Sequence, residues 1–507
     1  MEPSLIRAIA AIWPEILITA TIIAVTIVGL LVKDKRDVVG PALLGLACAA
    51  GIEASFFFFQ KWSLFYGMVA MDPLSAFFKM VFFLAAFLVV LFSMASKEVS
   101  QSVSPEEYYA SLLGATLGMC LLASSLNLIM IYISLELTSI ASYILTASMR
   151  ESRRSSEAGL KYSLYGAVAS GVMIYGMSLL YGMTGSLDLT EIGTKLQGVS
   201  VPPQGLILAL MFVLVGFGFK ISMVPFHMWA PDVYEGAPLP ITAFLSVGPK
   251  AAGFAVLIRF LYTAFAVPWA SPGAAQGQWF YLSGIDWPDT LAWLAALTMT
   301  VGNLAAIAQT NLKRLLAYSS IAQAGYMLVG VVCLSSSGLE AVLFYVAVYL
   351  FMNLGAFLVV MVVKNHLETE EMEGYRGLGV RVPFLAAGMT IFLFALTGIP
   401  PLSGFFGKVL LFGALIKEEI YWLAVVGVLN SVVSLYYYAG ILKKMYLEDQ
   451  RFPLPLGGEG KGEEATLHLS LLETGLLIAL LALTILFGLW PTPLMELTSF
   501  SLNFFVL

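Results

Sequence analysis

Long apolar segments constrain the fold of this 507-residue chain more than any other feature. They recur about fourteen times, each with about 20 residues between charged residues, glycines or prolines. A helix needs about 20 apolar residues to cross the hydrocarbon of a bilayer. Because only 11% of the residues are charged, we predict an all-α polytopic membrane protein with about 14 transmembrane helices. The predicted spans are residues 14–33, 39–58, 73–96, 107–125, 127–148, 157–182, 205–225, 239–266, 287–309, 313–335, 338–363, 382–416, 419–446 and 468–490.

The basic residues between the spans predict the orientation of the chain. With the N-terminus outside, fourteen crossings place sixteen basic residues in cytoplasmic connections. Only four fall outside, namely Arg7, Lys61, Lys195 and Lys417. Since basic residues accumulate in cytoplasmic loops, we predict that both termini lie outside. The N-terminal segment has neither a basic n-region nor a transit-peptide pattern, which favours a bacterial inner membrane.

Several ionisable residues lie inside predicted spans, where a charge is costly. Each costs about 2.5–3.5 kcal/mol on insertion scales, so each is a candidate functional residue. The basic ones are Lys79, Lys161, Lys220, Lys250, Arg259 and Lys408, and the deepest acid is Glu136. We expect Lys79 and Arg259 to reach the membrane interface with their long side chains. Lys161 comes four residues after Glu157, so it is either half of an ion pair at the rim or a modulating partner of Glu136.

Two helices are interrupted by proline at matching places in the sequence. "FKISMVPFHMW" breaks one helix at Pro225, and "LTGIPPLSGFFGK" breaks another at Pro400 and Pro401. Each is the fourth helix of a five-helix block, and an odd number of crossings inverts the second block. Paired interruptions of this kind indicate a transport site near the bilayer midplane. We therefore predict an N-terminal three-helix segment (1–106), two inverted repeats (107–266 and 287–446), and a cytoplasmic loop with a last helix (447–507).

The charged residues near the two breaks form a candidate proton path. Lys220 comes five residues before the proline of its break, and Lys408 comes seven residues after the second proline of its own. Inversion therefore places both lysines at similar depths. A buried lysine beside a buried glutamate titrates as a coupled pair, so Glu136 with Lys220 is predicted to act as a proton switch that Lys250 and Lys408 extend. His227 is a candidate relay. The alternatives are static ion pairs and a histidine that caps freed carbonyls.

The motifs of other chemistries are missing from the sequence. Cys48, Cys120 and Cys333 lie singly in apolar runs, which argues against a disulfide framework, an iron–sulfur cluster or a zinc site. There is no phosphate-binding loop and no GxGxxG after a strand. We predict no cofactor and no metal in this chain.

Several motifs resemble those of a known family. "FKISMVPFHMWAPDVYEGAPLPITAFLSVGPKAAGFAVLIR", "GNLAAIAQTNLKRLLAYSSIAQAGYML", "GIPPLSGFFGKVLLF" and "NSVVSLYYY" are similar to the antiporter-like membrane subunits of respiratory complex I. Within these subunits, the "VYEGAP" loop and the "KAAGFA" continuation resemble the subunit N type, which corresponds to mitochondrial subunit 2. The likeness covers nearly the whole chain and is strongest from about residue 130 to 446.

The resemblance implies a proton-translocating subunit of an NADH-quinone oxidoreductase, a translocase. It implies that Glu136, Lys220, Lys250 and Lys408 carry protons, with Lys161 as a further lysine in the membrane. FMN, iron–sulfur clusters and quinone would belong to partner subunits. The implied partners are the neighbouring membrane-arm subunits and lipid directly, and the peripheral arm indirectly, without nucleic acid. Two alternatives are a subunit of a multi-subunit Na⁺/H⁺ antiporter and a structural spacer. The electron donor, the quinone and the choice between H⁺ and Na⁺ stay open.

Overall fold

The structure is a computed structural model, and it describes most of the chain. The described residues are 9, 11–32, 35–57, 62–198, 202–268, 278–282, 285–448 and 469–502. Arg7, Lys61 and most of the predicted cytoplasmic loop after residue 447 lie outside these ranges.

The described residues fold almost entirely into helices, as the sequence predicts. Two 3₁₀ turns, Lys35–Val38 and Met372–Tyr375, join them. The helices are α1 (Trp13–Leu31), α2 (Val39–Phe56), α3 (Pro73–Ala95), α4 (Lys97–Ser102), α5 (Pro105–Ser124), α6 (Leu128–Thr146), α7 (Arg153–Thr184), α8 (Leu189–Gly198), α9 (Pro203–Ile221), α10 (Trp229–Gly236), α11 (Leu239–Ala264), α12 (Trp287–Ile307), α13 (Leu312–Val332), α14 (Ser336–Leu367), α15 (Leu378–Arg381), α16 (Pro383–Thr397), α17 (Ser403–Lys417), α18 (Tyr421–Leu447), α19 (Leu471–Leu489) and α20 (Thr492–Ser501).

Twelve of the helices in the described residues are long and apolar enough to cross a membrane. The predicted fourth span corresponds to α5, which has 20 residues but begins with Glu106 and Glu107 in its first turn. The predicted span 382–416 is divided into α16 and α17, of 15 residues each. With α5 and this interrupted pair, every predicted span has its helix, and the polytopic all-α class is confirmed.

Two short antiparallel hairpins are the exceptions to the helical fold. Strands β1 (Trp62–Leu64) and β2 (Val69–Met71) precede α3, whereas β3 (Ala266–Pro268) and β4 (Trp279–Tyr281) follow α11. Each strand has only three residues, and both hairpins connect consecutive spans. They therefore shape connections and leave the helical core unchanged.

Three helices are almost completely enclosed by the rest of the protein, and one of them carries Lys250. The most apolar stretches of α11 and α14 are completely buried, and that of α13 is 94% buried. In contrast, the corresponding stretches of α2 and α18 are 28% and 33% buried. Apolar side chains on these outer helices lose nothing by facing lipid, because lipid tails are as apolar as they are. The molecule thus has a protein-enclosed centre and a lipid-compatible rim.

Candidate functional site

The first break separates α9 from α10 over residues 222–228. Ser222 ends α9 in the left-handed region at φ 59°, and the Val224–Pro225 peptide is cis. The indole Nε1 of Trp229 donates a hydrogen bond of 2.9 Å to the carbonyl oxygen of Phe219. A side chain from beyond the break therefore satisfies one of the carbonyls that the interruption frees, as a buried helix end requires.

The second break separates α16 from α17 and is closed differently. Gly398 ends α16 at φ 93°, where a side chain would be strained, and the Pro400–Pro401 peptide is cis. The Nζ of Lys408 donates to the carbonyl oxygen of Thr397 at 2.9 Å. Lys408 thus caps the carboxyl end of α16, where the helix dipole favours a positive charge.

Lys220 lies on α9, buried against α6. Its Nζ donates to the Oγ of Ser139 at 3.0 Å. Glu136 lies three residues before Ser139 on the same face of α6, and its buried Oε1 has no hydrogen-bond partner. In the described part of the chain Lys220 forms no salt bridge with Glu136. The ammonium group of Lys220 is therefore bonded to Ser139 and not to Glu136, and the role of the predicted pair as a proton switch stays a prediction.

Lys250 lies at the centre of the molecule, on α11. Its Nζ donates to the Oγ of Ser320 on α13 at 2.8 Å and lies 5.8 Å from the centre of the Tyr234 ring. Since α11 ends the first predicted repeat and α13 belongs to the second, this hydrogen bond joins the two.

Lys408 contacts two further groups besides the Thr397 carbonyl. The Oγ of Ser431 on α18 accepts a hydrogen bond from its Nζ at 3.1 Å. The Nζ also lies 4.2 Å from the centre of the Tyr326 ring, within the range of a cation–π interaction. Lys220, Lys250 and Lys408 thus share one environment: each is buried and donates to a serine hydroxyl on a neighbouring helix.

A polar stripe on α13 links Lys250 to Lys408 and was not among the predicted site residues. It consists of Ser319, Ser320, Gln323 and Tyr326, all buried. Ser320 contacts Lys250 and Tyr326 contacts Lys408, and the two positions are about 9 Å apart along the helix axis. The available signal was the helical spacing of polar residues in "AYSSIAQAGYML".

The stripe continues into a hydrogen-bonded network between α12 and α18. Asn303 donates to the Tyr326 hydroxyl at 3.4 Å and to the Asn430 side chain at 3.1 Å, and it accepts from Tyr437 at 3.0 Å. Buried amides and hydroxyls of this kind are satisfied only within a polar interior. The second predicted repeat therefore encloses a connected polar path beside Lys408.

His227 and Lys161 form none of the serine contacts that the three buried lysines share. His227 is half-buried in the first break, and its Nδ1 has no hydrogen-bond partner. Lys161 forms salt bridges with Glu157 at 2.8 Å and with Asp232 at 2.7 Å, and its side chain is 40% exposed. The structure thus favours the rim ion pair for Lys161 over a contact with Glu136. The relay role of His227 stays a prediction.

The expectation for Lys79 is wrong, and Arg259 has a partner that the sequence did not predict. Lys79 is buried and forms a salt bridge of 2.7 Å with Glu15, and Arg259 is buried and forms two hydrogen bonds with Asp72, at 2.8 and 2.9 Å. A charged head in the protein interior is tolerated when a carboxylate pairs with it, so neither side chain has to reach the interface.

The described residues contain no group of three or more histidines, cysteines, aspartates or glutamates that could hold a metal ion. The groups that the site offers are ammonium, hydroxyl, amide and carboxyl groups. They can hold and pass protons, and the comparisons with known proteins agree with such a role.

A model of the family described as "NADH:quinone oxidoreductase/Mrp antiporter, TM" matches residues 125–434. That stretch includes both breaks and all three serine-bonded lysines. The chain belongs to this family.

Two relatives within the family extend the likeness beyond the matched stretch. "NADH-quinone oxidoreductase subunit N 2" of Chloroherpeton thalassium is 42% identical over 505 residues, covering 97% of this chain and 94% of the relative. "NADH-quinone oxidoreductase subunit N" of Moorella thermoacetica is 42% identical over 492 residues, covering 96% of each.

Solved structures agree with the family assignment. A chain of respiratory complex I from Thermus thermophilus, solved with bound aureothin, has a TM-score of 0.75 at 31% identity, with 96% of this chain and 99% of that chain covered. A chain of the Mrp complex from Dietzia has a TM-score of 0.82 at 19% identity, with 97% of each covered. At that identity the Mrp likeness concerns the fold alone.

Proposed function

We propose that this chain is the subunit N of an H⁺-translocating NADH-quinone oxidoreductase, respiratory complex I. It moves protons while partner subunits transfer electrons from NADH to quinone. The observation that carries this proposal is the row of Lys220, Lys250 and Lys408, each buried and each bonded to a serine hydroxyl. The names of the relatives, which the chain matches over nearly its whole length, support the assignment to this subunit.

The serine partners suit a group that changes its protonation state. A hydroxyl accepts a hydrogen bond from a charged ammonium group and donates one to a neutral amine, whereas a carboxylate only accepts. Lys220, Lys250 and Lys408 form no salt bridge in the described residues, and burying an unpaired ammonium group is costly. Static ion pairs therefore do not account for these lysines.

In the proposed mechanism, a charge displacement in the neighbouring subunits changes the interaction between Glu136 and Lys220. Charge then passes from Lys220 to Lys250. The polar stripe on α13 carries this charge on to Lys408. A proton leaves to the outside from the second repeat. His227 in the first break relays protons between Lys220 and Lys250. Each step changes only the protonation of a side chain, and the chain itself performs no electron transfer.

The proposal also assigns the partners and the orientation. FMN, the iron–sulfur clusters and quinone reside in partner subunits. Neighbouring antiporter-like and small membrane subunits, together with lipid, cover the apolar outer faces, and the peripheral arm acts indirectly. The chain is a multi-span membrane protein, and we place it in a bacterial inner membrane with both termini on the periplasmic side. The excess of basic residues in the opposite connections supports this orientation.

The test is a Lys220→Ala variant of the whole complex, reconstituted in sealed vesicles. We expect protons moved per electron, or NADH-driven quinone reduction itself, to fall severalfold, because a lysine-to-alanine change removes one carrier from the row. The matched control is Lys443→Ala, whose side chain is 66% exposed at the end of α18. A Lys220→Ala complex with normal turnover and a normal proton-to-electron ratio would refute the proposed role of this lysine.

The likeness to the Mrp complex keeps one second function in view, that of a Na⁺/H⁺ antiporter subunit. Purification of the chain with its partners from the native membrane separates the two. Partners that carry flavin and iron–sulfur clusters, together with NADH-driven quinone reduction, support the complex I subunit. Small membrane partners alone, with sodium-driven proton movement and no redox centres, support the antiporter.

A further inference from the structure

Three charged side chains meet in a second buried site, away from the row of lysines. They are Glu15 on α1, Glu53 on α2 and Lys79 on α3. The Nζ of Lys79 lies 2.7 Å from the Oε1 of Glu15 and 3.7 Å from the Oε2 of Glu53. The three side chains are only 7%, 2% and 3% exposed, respectively. We call this cluster the N-terminal triad.

The triad carries unequal numbers of acidic and basic groups. In the described residues, Lys79 is the one cation in salt-bridge contact with either glutamate. The next charged neighbour, Asp72, is already paired with Arg259 in a bidentate contact and adds no net charge. With both glutamates ionised, the buried site would hold one uncompensated negative charge. Such a charge is costly in a protein interior, and a bound proton removes it.

The distances indicate which carboxyl group holds that proton. Glu15 lies within hydrogen-bond distance of the Lys79 ammonium group and is its ion-pair partner. Glu53, at 3.7 Å, is beyond a normal hydrogen bond. The Oε2 of Glu15 is buried without a hydrogen-bond partner, so the site also contains an acceptor left free for a proton donor.

We propose that the N-terminal triad is a second proton-binding site of this chain, in which Glu53 carries the proton and Lys79 pairs with Glu15. Binding converts the Glu53 carboxylate to a carboxylic acid, and release leaves one negative charge in the site. The ammonium group of Lys79 already lies between the two acids and repels a metal cation, so the occupant is a proton and not Na⁺.

The triad lies at about the depth of Lys250. The Asp72–Arg259 contact joins the start of α3 to the carboxyl-terminal end of α11, so the two helices are antiparallel and both extend to the same side of this contact. Lys79 comes seven residues after Asp72, about 10 Å along α3, and Lys250 comes nine residues before Arg259, about 13 Å along α11. The two lysines are therefore within about 3 Å of each other in depth, on neighbouring packed helices.

This placement extends the row of ionisable groups into the first three helices. The other titratable groups facing the triad are the paired Asp72 and the thiol of Cys120 on α5. A proton released from Glu53 adds a negative charge at about the depth of Lys250 and favours a proton on that lysine. This link rests on the proposed function, whereas the proton-binding site itself does not.

The test measures the protonated carboxyl group directly in the purified complex. Infrared difference spectroscopy during a pH titration detects the C=O stretch of a protonated glutamate, and deuterium exchange identifies it. We expect a band that Glu53→Gln abolishes and that Glu136→Gln, at the other site, leaves in place. A band unaffected by Glu53→Gln would overturn the proposal. A band that disappears when NaCl replaces KCl at constant pH would also overturn it, in favour of a sodium site.

Assembly of the variants gives an independent readout. Glutamine has the shape and the charge of a protonated glutamate, so Glu53→Gln should leave the yield of assembled complex unchanged. The double variant Glu15→Gln/Glu53→Gln leaves Lys79 without a counter-ion and should lower the yield by more than about tenfold. A Glu53→Gln yield as low as that of the double variant would show that the Glu53 charge is required and would refute the proposal. Proton pumping is measured separately, so a failure of the proposed function would not be mistaken for a failure of this site.

Discussion

Arg259 and Lys220 are both buried in this membrane protein, but they have different partners. Arg259 forms a bidentate contact with the carboxylate of Asp72, and Lys220 bonds to the hydroxyl of Ser139. A bidentate ion pair fixes the charge and the geometry of both groups. A hydroxyl accommodates either protonation state of a lysine. The partner of the buried cation thus distinguishes the structural role of Arg259 from the proton-carrying role proposed for Lys220.

At the same scale, Asp72→Asn should destabilise the protein strongly. The change leaves the Arg259 guanidinium group buried without its counter-ion, which typically costs about 3–5 kcal/mol. Thermal unfolding of the purified complex measures the loss, and Asp72→Asn/Arg259→Met should recover part of it. The control is Glu107→Gln at the exposed Arg150–Glu107 pair, whose side chains are 72% and 57% exposed, respectively, with an expected cost below about 1 kcal/mol. Equal losses at the two pairs would contradict the structural role of the buried one.

Glu370, in the connection after α14, predicts a pH dependence of stability. Burial raises the pKa of this carboxyl group, but the Lys313 and Lys364 ammonium groups outweigh it, so the pKa falls from 4.5 to about 2. A lowered pKa stabilises the folded state above the unfolded-state pKa, and this contribution of up to about 3 kcal/mol is lost as the pH falls from about 4.5 to about 2.

The measurement is the melting temperature of the complex as a function of pH. Glu370→Gln should lower the melting temperature at neutral pH. It should also make the melting temperature decline less steeply as the pH falls from about 4.5 to about 2. Glu373→Gln removes the carboxylate of the more exposed Lys444–Glu373 pair and should have a much smaller effect. If the melting temperature of the Glu370→Gln variant declined in acid as steeply as that of the wild type, the proposed contribution of Glu370 would be contradicted.

Among the secondary-structure elements, the two halves of the broken helix α16–α17 pack without space between them. A Cβ atom on Gly404, near the start of α17, would lie 1.9 Å from the carbonyl oxygen of Ala395 and 2.8 Å from the Sδ of Met352. A backbone oxygen cannot turn away as a flexible side chain does. Glycine at this position therefore lets α17 approach α16 closely enough for Lys408 to cap it.

Gly404→Ala should displace α17 and lower both stability and proton translocation. Overpacking of this kind costs about 1–3 kcal/mol or more. The control lies in the same half-helix, because a Cβ atom on Gly413 would meet nothing within 4 Å. Gly413→Ala should be neutral or stabilising by up to about 1 kcal/mol, since alanine favours a helix over glycine. Thermal unfolding and pumping of both variants test the contrast, and equal behaviour would contradict the close approach.

The whole molecule encloses its charged centre in helices and presents apolar faces around it. The wholly buried α11 and α14 and the nearly buried α13 form the centre, where Lys250 and the polar stripe lie. Outer helices such as α18 expose Val425, Val428 and Leu429. Charges are thereby kept from lipid, and the exposed faces suit lipid or neighbouring subunits.

Cysteine labelling tests the orientation of the whole molecule. In a background without its own cysteines, Lys417→Cys should react with a membrane-impermeant thiol reagent from the periplasmic side. Lys443→Cys, at the opposite end of α18, should react only in inverted vesicles. Both positions are exposed in the isolated chain. The reverse pattern would show that the excess of basic residues faces outwards and that the predicted orientation is wrong.

Local features of the sequence were sufficient for the helices and for the membrane class. Whether a helix crosses a bilayer depends on the summed hydropathy of about 20 contiguous residues, and the order of residues in the chain is enough to calculate it. The breaks at Pro225, Pro400 and Pro401 were equally readable, because an interior proline removes a backbone hydrogen bond and kinks or breaks a helix. The lysines stood out for the same reason, as charges within apolar runs.

The partners of those lysines depended on the tertiary structure. The rotation and tilt of helices far apart in sequence determine which side chain faces a lysine. A hydropathy profile contains no information about rotation or tilt. Ser139, rather than Glu136, contacts Lys220, and Ser320 lies 70 positions from its partner Lys250. The sequence predicted that the long side chain of Lys79 reaches the interface, whereas two other helices bring Glu15 and Glu53 to it. The sequence by itself determined which ionisable residues lie within the membrane spans. The packing of the helices decided whether each of them is paired with a carboxylate or bonded to a hydroxyl group that tolerates either protonation state.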